Sequence, residues 1–511
     1  MKPEPFSLED NLERAAKDRA ALEVHSPPPT KPITLEEAQA RALVYNLDHR
    51  LRLFNATLQD RQLDLTRMDL LPSLTANAGY VSRDKDLVSS SASYQTGQVV
   101  QSNFETTSTD RQRTFGDLTL SWNVIDFGVS YLQAKQQADR VIIAEEQRRR
   151  VVNNIFQQVH GAYWGAVSAE KVVPRIKPVI AEARKALAQS RAAGDERLQN
   201  PAEALQYQRD LLELIQQLES VEDQLSVAKT ELAQLMGLRP GTNYRLAPPP
   251  RETARRLKLS IDQMEQIALV NRPELREEAY NARIVLNEGR RAILQLVPGV
   301  TMLASINYDS NSYLLYNDWR EAGLRLAANI VRLASMPSVI KLGKAQNEIA
   351  ESRRLAMAMS VIAQVQIATR QYAIAYSTYE RSRELEIINR KIAALKVSEQ
   401  EADSASQFDL IREKANALFS ELRSNRTLAD LQRADANIRA TLGVDPLAPN
   451  TNISSLQELS DVIASRHQAW RKGDVTVPTL PAVPAVPAET PQETADAVQA
   501  AVRSVVVGDA R

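Results

Sequence analysis

The sequence predicts a mainly α-helical chain that also contributes four β-strands, arranged as two similar halves. Three observations support this fold class: an internal repeat, segments in which apolar and polar residues alternate, and very long helical segments. Residues 71–74 and 297–300 match at an offset of 226, and residues 118–124 and 324–330 match at an offset of 206. A unit of about two hundred residues is too long for a short solenoid repeat, so it indicates two similar halves in one chain.

Composition excludes several classes of function. Lys+Arg and Asp+Glu both total 63 in 511 residues, and a net charge of zero gives no electrostatic case for a nucleic-acid partner. The chain has no cysteine, which excludes disulfides and thiolate chemistry. No apolar run reaches the length of a membrane-spanning helix.

The first residues do not look like a signal peptide, because Met1 is followed by Lys2-Pro3-Glu4-Pro5 and then by a charged helix. Two explanations stay open. The protein is cytosolic, which composition alone favours, or the numbering starts at a mature or engineered end, which could place Met1 where a lipidated cysteine once stood.

The first half begins with helix, strand, loop and strand. Residues 6–24 are predicted as a short amphipathic helix, and Thr34 as the N-cap of a helix over residues 34–70. After Pro72 the period changes to two, and a Ser-, Thr- and Gln-rich surface loop over residues 84–113 separates two strands. Their apolar positions are Leu74, Ala76, Ala78 and Tyr80 in one strand and Leu118, Leu120, Trp122 and Val124 in the other.

A long helical hairpin completes this half. From about Ser130 the chain is predicted helical for about sixty residues, roughly 90 Å, and Pro174 and Pro178 are predicted to kink this helix. The chain reverses between residues 194 and 201, and the return helix ends at Gly237. The return helix carries a seam with coiled-coil spacing, formed by Leu211, Leu214, Leu218, Val221, Leu225, Ala228, Leu232 and Leu235.

The second half repeats this order. A helix, two strands joined by a shorter loop, and a second long hairpin are followed by one more helix and a Pro-rich, extended tail. The predicted ranges are 260–296 for the first helix, 300–308 and 324–330 for the strands, 309–322 for the loop, 398–406 for the hairpin turn, 453–471 for the last helix and 476–491 for the Pro-rich stretch.

Four strands that are apolar on one side cannot form a closed sheet by themselves. Strands of about ten residues with this alternation suit a membrane β-barrel, and an open edge in lipid is costly, so several chains would contribute strands to one barrel. Hairpins of about 90 Å also need neighbours in a bundle or tube. The alternatives are a small soluble sheet packed on helices and a free-standing antiparallel coiled coil in a cytosolic scaffold.

The sequence offers no constellation for catalysis. His25, His49, His160 and His467 are scattered without ligand spacing, and no phosphate-binding loop, nucleophile elbow or metalloprotease motif occurs. We therefore expect no catalytic residues, no cofactor and no metal site. Arg325 is expected on the polar side of its strand, because an arginine on the lipid face of a barrel is costly.

Together, these motifs resemble the TolC-type outer-membrane efflux and export ducts, the outer membrane factors. The resemblance covers residues 34–445. It is carried by the duplicated order, by Leu-Pro-Ser-Leu at 71–74, by Leu-Ser-Trp-Asn-Val-Ile-Asp-Phe-Gly at 120–128, and by the helix ends at 235–237 and 441–443.

The resemblance implies a homotrimer with four strands per chain in a twelve-stranded outer-membrane β-barrel and long coiled-coil hairpins in a periplasmic α-barrel. Such a channel-tunnel is passive and serves efflux or type I-like secretion. It contacts outer-membrane lipid and docks at its periplasmic tips with a periplasmic adaptor (membrane fusion) protein and an inner-membrane transporter. The location implied is the bacterial outer membrane, extending into the periplasm; the alternative function is a cytosolic coiled-coil scaffold.

The chain is divided accordingly into five parts. They are an N-terminal extension at 1–33 that serves as periplasmic belt or anchor, a first structural repeat at 34–258, a second at 259–445, a C-terminal belt helix at 446–474 and a Pro-rich flexible tail at 475–511.

The hairpin tips are the predicted docking and gating end, because each turn lies about 90 Å from the strands. The alternative is a pair of ordinary polar turns. Glu203 and Asp409 begin the return helices, where the helix dipole stabilises a carboxylate, so they are either gate residues or helix-start acids. The predicted adaptor-docking residues are Gly194, Asp195, Ser398, Glu401 and Asp403, and the possible gate residues are Glu203, Asp409 and Arg412.

Overall fold

The computed structural model describes residues 5–89, 94–98, 106–195, 201–239, 241–247, 258–401, 407–447 and 455–479. Residues Met1–Val475 form one compact unit, which contains the helices and strands named below. The predicted tail lies almost wholly outside the described residues, as do Asp403 and most of both hairpin turns.

The first half contains five helices and four strands in the described residues. In chain order they are α1 (Leu8–His25), α2 (Leu35–Tyr45), α3 (Leu47–Met68), β1 (Ser73–Ser82), β2 (Val88–Ser89), β3 (Thr106–Thr107), β4 (Gln112–Asn123), α4 (Val124–Asp195) and α5 (Pro201–Leu235).

The second half repeats the order from α2 onward, without counterparts of β2 and β3 in the described residues and with one additional short helix. Its elements are α6 (Ile261–Asn271), α7 (Pro273–Leu294), β5 (Gly299–Asp309), β6 (Asp318–Ala327), α8 (Ile330–Ala334), α9 (Met336–Glu401) and α10 (Gln407–Thr441), followed by α11 (Leu456–Lys472).

The duplication holds to the residue in the element bounds. Adding 226 to the bounds of α2 and α3 gives the bounds of α6 and α7, and adding 206 to those of α5 gives the bounds of α10. The offset falls by 20 (226 − 206) between β1 and β4, so the starts of the two strands lie 20 residues farther apart in the first half than in the second. Both halves therefore share these helices and long strands, and the change of offset lies in the segment between the two strands.

The helices predicted over 34–70 and 260–296 are each two helices, so both predictions were wrong in this respect. Asn46 ends α2 and caps α3, because its side chain accepts hydrogen bonds from the N–H groups of Asp48 and His49. At the equivalent place Pro273 is the first residue of α7, where its missing N–H costs nothing. A cap residue and a proline were therefore the signals for the two breaks.

The four long strands form one antiparallel sheet in the order β1-β4-β5-β6. The helices that flank these strands follow the same order: α3 contacts α4, α4 contacts α7, and α7 contacts α9. Farther along the hairpins the order becomes α5, α4, α10 and α9. One chain is thus a row of antiparallel elements, with α4 in the middle and α9 on one side.

Two loop predictions need correction. The loop predicted over 309–322 is shorter, because β5 runs to Asp309 and β6 begins at Asp318. The last strand ends at Ala327 rather than at Ile330, since Asn329 caps the short helix α8 with its side chain. The loop predicted over 84–113 also contains the short β2–β3 pair and the ion pair between Arg111 and Asp86.

Two apolar clusters stabilise the helical part. The first joins α2, α4 and the end of α5, and in it the hydroxyl of Tyr163 donates to the carbonyl oxygen of Ala247 at 2.7 Å. The second joins α4, α5 and α10 nearer the tips, and includes Ile176, Leu211 and Ile411. The first hairpin and the return helix of the second therefore share one core.

Gly237 and Gly443 end the two return helices in the left-handed conformation, with φ of 69° and 66°. In each case the residue directly after the glycine donates its N–H back across the last turn, as in a Schellman motif: Leu238 to the carbonyl oxygen of Ala233, and Val444 to that of Arg439. A Cβ on Gly237 would lie 2.6 Å from the carbonyl oxygen of Tyr45, and one on Gly443 would lie 2.8 Å from that of Asn271. Glycine is therefore required both by φ and by the close approach of α2 and α6.

Candidate functional site

The sheet has one continuous apolar face. Residues that pair across an antiparallel sheet lie on the same face, and the register pairs Leu74 with Leu120, Leu118 with Ile306, and Met302 with Leu324. The even-numbered residues of all four strands consequently share this face. Its apolar members are Leu74, Ala76, Ala78, Tyr80, Leu118, Leu120, Trp122, Val300, Met302, Ala304, Ile306, Tyr308, Ala322, Leu324 and Leu326.

The opposite face is mainly polar, although Phe115, Leu303 and Trp319 also lie on it. Asn77 donates to the carboxylate of Asp117 at 3.0 Å, and Thr119 donates to the same carboxylate at 2.8 Å. Arg325 pairs with Thr301 on this face, as the sequence predicted. The alternation predicted from the sequence therefore sorts the sheet into two chemically different surfaces.

The apolar face is solvent-exposed in the single chain. Leu324 is 76% exposed and Leu74 is 63% exposed. Tyr308 lies six positions along β5 from Met302, the partner of Trp122, so the aromatic side chains are separated by roughly 20 Å. Arg320 and Asp318 are the charged residues of this face in β6, and both lie at its loop end.

The sheet has two open edges, one formed by β1 and the other by β6. In the described part of the chain, β1 pairs only with β4 and β6 pairs only with β5. Each of these edges carries unpaired backbone groups, which a second chain can pair. The edge formed by β1 and the edge formed by β6 belong to opposite sides of the row, so identical chains can join head to tail.

The helices α4 and α9 differ in their exposure although they are repeat-equivalent. Ile143 of α4 is 9% exposed, whereas Ile349 of α9, at the same repeat position, is 53% exposed. On the other side of the row, Ile411 of α10 is fully buried, whereas its equivalent in α5, Leu205, is 65% exposed. The outer sides of α9 and α5 thus carry apolar residues that one chain leaves uncovered.

Four of the five predicted docking residues lie at or near the ends of α4 and α9 farthest from the sheet, and the fifth, Asp403, lies outside the described residues. Gly194 and Asp195 are the last residues of α4, and α4 has 72 residues, which corresponds to about 110 Å. Ser398 is exposed and Glu401 is the last residue of α9. Their role in docking remains a prediction.

The predicted gate residues lie in the first turns of the return helices. Glu203 is exposed in the first turn of α5, and Asp409 occupies the first turn of α10. The carboxylate of Asp409 forms an ion pair with Arg412 at 3.0 Å. Asp409 and Arg412 are thus brought together, while the position equivalent to Arg412 in α5 is Gln206.

Sequence reasoning missed the polar contacts that join the two hairpins. Lys414 of α10 forms an ion pair with Glu182 of α4 at 2.9 Å, and Arg175 of α4 forms one with the buried Glu421 of α10. These partners are more than two hundred residues apart in sequence. No local sequence pattern could therefore predict the ion pairs. They tie the second hairpin to the first beside the shared apolar core.

A second unforeseen cluster lies where α2, α4, α10 and α11 meet. The rings of His160 and His467, considered scattered from the sequence, lie 6.3 Å apart between centroids. Nδ1 of His467 lies 3.5 Å from a carboxylate oxygen of Glu36, and Nε2 of His160 lies 3.2 Å from the side-chain oxygen of Gln432. Their spacing along the chain gave no signal of this contact.

No cluster that could hold a metal ion, with three or more His, Asp or Glu side chains, occurs in the part of the chain that the structure describes. Among the described helices, none combines the length and the apolar composition needed to cross a membrane.

Comparison with solved structures identifies the fold. No protein-family model matches the chain, and no match was found among curated proteins. The Campylobacter jejuni outer-membrane channel CmeC aligns with a TM-score of 0.64 at 12% identity, over 84% of this chain and 89% of CmeC. The outer-membrane channel OprN aligns with a TM-score of 0.62 at 14% identity, over 80% of this chain and 89% of OprN.

A third match has a similar extent. The open state of the Neisseria gonorrhoeae outer-membrane channel MtrE aligns with a TM-score of 0.56 at 17% identity, over 80% of this chain and 88% of MtrE. The chain therefore has the fold of the outer-membrane channels, and the long helices and the strands predicted from the sequence resemblance are confirmed.

Proposed function

We propose that the protein is a passive, trimeric channel-tunnel of the bacterial outer membrane, which serves efflux or type I-like secretion. The observation that carries this proposal is the four-stranded sheet, with its exposed apolar face, its polar opposite face and its two open edges. A lipid environment stabilises the apolar face, and closure of the edges satisfies the backbone groups that lipid cannot. A cytosolic scaffold would leave both features exposed to water.

Three copies of the chain would close a barrel of twelve strands around a lumen lined by the polar face. The repeat indicates how neighbouring copies join. Inside one chain α4 packs against α7 and α10; at the outer edge, the equivalent α9 would pack against α3 and α5 of the next copy. This arrangement covers Ile349 and Leu205, which the single chain leaves exposed.

A cysteine crosslink tests this assembly, and the cysteine-free chain is a suitable background. The internal pair Lys414–Glu182 maps onto Gln208 (414 − 206) and Ile388 (182 + 206). Gln208→Cys with Ile388→Cys, treated with a short bismaleimide, should give covalent dimers and trimers on a denaturing gel. The matched control, Lys414→Cys with Glu182→Cys, should crosslink within one chain and stay at monomer mass.

Two results would contradict the proposal. One is a monomeric or dimeric particle, by mass measurement in mild detergent. The other is fractionation of the expressed protein with the soluble cell contents rather than with outer membranes.

The hairpin tips are proposed to dock with a periplasmic adaptor and, through it, with an inner-membrane transporter. The support is geometric: the tips lie about 110 Å from the sheet, at the end that would reach toward the inner membrane. Gly194→Trp combined with Ser398→Trp should abolish export while trimers remain in the outer membrane. Export at the unsubstituted level would place the docking surface elsewhere on the hairpins.

A further inference from the structure

The helix α11 packs against the rest of the unit through an apolar cluster and a pair of histidines. Leu459 and Ile463 of α11 are buried against Val152 and Phe156 of α4. One helical turn farther, His467 lies beside His160 of α4. The apolar part thus anchors the first half of α11, and the histidine pair lies under its second half.

Each histidine has one satisfied and one unsatisfied ring nitrogen. His467 lies with Nδ1 toward Glu36, and His160 lies with Nε2 toward Gln432. The remaining nitrogens, Nδ1 of His160 and Nε2 of His467, are buried without a hydrogen-bond partner among the described residues. The neutral rings tolerate this, because an unprotonated imidazole nitrogen needs no acceptor. A protonated ring would bury an N–H⁺ without an acceptor, which is costly.

The charges around the pair come from three of the four elements. The helix α2 contributes Glu36, α10 contributes Arg439, and α11 contributes Arg471. Arg439 is paired with Asp435 of its own helix at 3.1 Å, and Trp470 donates to the same Asp435 at 3.0 Å. The contribution of the fourth element, α4, is His160, which is itself a member of the pair. The carboxylate of Glu36 favours a proton on His467, whereas the two guanidinium groups oppose a proton on either ring.

We propose that the His160–His467 pair makes the attachment of the second half of α11 depend on pH, so that this segment is held at neutral pH and released under acidic conditions. The physical reason is that two rings in contact, each with an unsatisfied buried nitrogen, cannot both take up protons beside Arg439 and Arg471 while α11 stays in place. Release would expose the rings to water, where both protons are tolerated.

The pKa directions agree with this geometry. Burial lowers the pKa of His160 well below its usual value of 6.5, and Arg439 lowers it further. Burial also lowers the pKa of His467, against the opposing effect of Glu36. Because both histidines bind protons more weakly in the attached state, attachment is at full strength above pH 6.5 and weakens as the pH falls below it.

Hydrogen exchange of the purified protein in detergent tests this inference without any membrane or transport partner, so its outcome is independent of the proposed function. After correction for the intrinsic exchange rate, the protection of residues 464–472 should fall by up to about fivefold per histidine between pH 6.5 and pH 5.5. Residues 456–462 should lose less protection. The helix α6, which carries no histidine, is the internal control and should stay constant.

The matching variants are His160→Gln and His467→Asn. Each places an amide nitrogen near the ring nitrogen that faces Gln432 in His160 or Glu36 in His467. The double variant should keep its protection at both pH values, whereas the control His49→Gln, on α3, should respond like the unsubstituted protein. An unchanged protection of residues 464–472 in the unsubstituted protein would overturn the inference. An equal loss in the double variant, or an equal loss in α6, would also overturn it.

Discussion

The two long helices α4 and α9 have the same place in the repeat but different surroundings. Ile143 and Ile349 are identical residues at equivalent positions, and one is buried while the other is half exposed. The difference comes from their neighbours: α4 lies between other helices on both sides, and α9 lies at the edge of the row. The duplicated sequence therefore determines which elements form, whereas the place in the row determines which side chains one chain covers.

The two seams also differ in chemistry. The internal seam between α4 and α10 carries the ion pairs Glu182–Lys414 and Arg175–Glu421. At the outer edge the position equivalent to Glu182 is Ile388 and the position equivalent to Lys414 is Gln208, so neither residue of this pair is charged there. Inside the chain, ion pairs as well as apolar contacts thus hold α10 against α4. At the outer edge, the contacts of α9 would be more apolar.

The largest expected effect comes from an aspartate introduced separately at Ile143 and at its repeat-equivalent, Ile349. Ile143→Asp buries a charge without a partner inside one chain, which should cost about 4 kcal/mol or more and prevent the chain from folding. Ile349→Asp should leave the chain folded, since this side chain is exposed there, and should prevent assembly. Circular dichroism reports folding, and particle mass in mild detergent reports assembly.

The comparison would be broken by one result in particular. If Ile349→Asp assembled into trimers of normal melting temperature, α9 would have to be a free surface of the assembly rather than a seam between copies.

The sequence predicted this architecture well because its signals are local and doubled. The alternation at Leu118–Trp122 predicted the strand, although Val124 begins α4 rather than extending the strand, and Gly237 predicted the helix end, each supported by its repeat-equivalent. The contacts between elements were not predictable in the same way. His160 and His467 lie 307 positions apart (467 − 160) and meet only because α11 folds back on α4 and α2.

Gly237→Ala and Gly443→Ala should have effects of intermediate and similar size. A left-handed φ costs a residue other than glycine about 1–3 kcal/mol, and the added Cβ also meets the backbone of Tyr45 or Asn271. Gly241→Ala is the control, since φ is 88° there but no atom lies within 4 Å of the new Cβ. The melting temperature should fall more for the first two variants than for the control. A large difference in melting temperature between the first two variants would show that the two helix ends contribute unequally to stability.

The pair Asp409–Arg412 exists in the second half alone, because α5 has Glu203 and Gln206 at these positions. Its contribution to stability should be small, about 0.5 kcal/mol, since both side chains are about half exposed to solvent. Asp409→Ala with Arg412→Ala should leave the melting temperature unchanged and raise single-channel conductance in planar bilayers. Glu203→Ala tests the first half in the same way. Unchanged conductance in both variants would place the narrowest part of the tunnel elsewhere along the helices.

The smallest effect is expected from the C-terminal tail. The compact unit ends at Val475, and Gly473 closes α11 with a left-handed φ of 79°, while Asp474 donates its N–H to Ala469. A truncation after Val475 keeps this helix end intact. It removes the run of prolines, which cannot donate backbone hydrogen bonds to a helix or sheet. The trimer should therefore keep its melting temperature within experimental error. A fall of several degrees would show that the tail contributes contacts to the assembly, and a fall seen for the trimer but not for the isolated chain would place those contacts between copies.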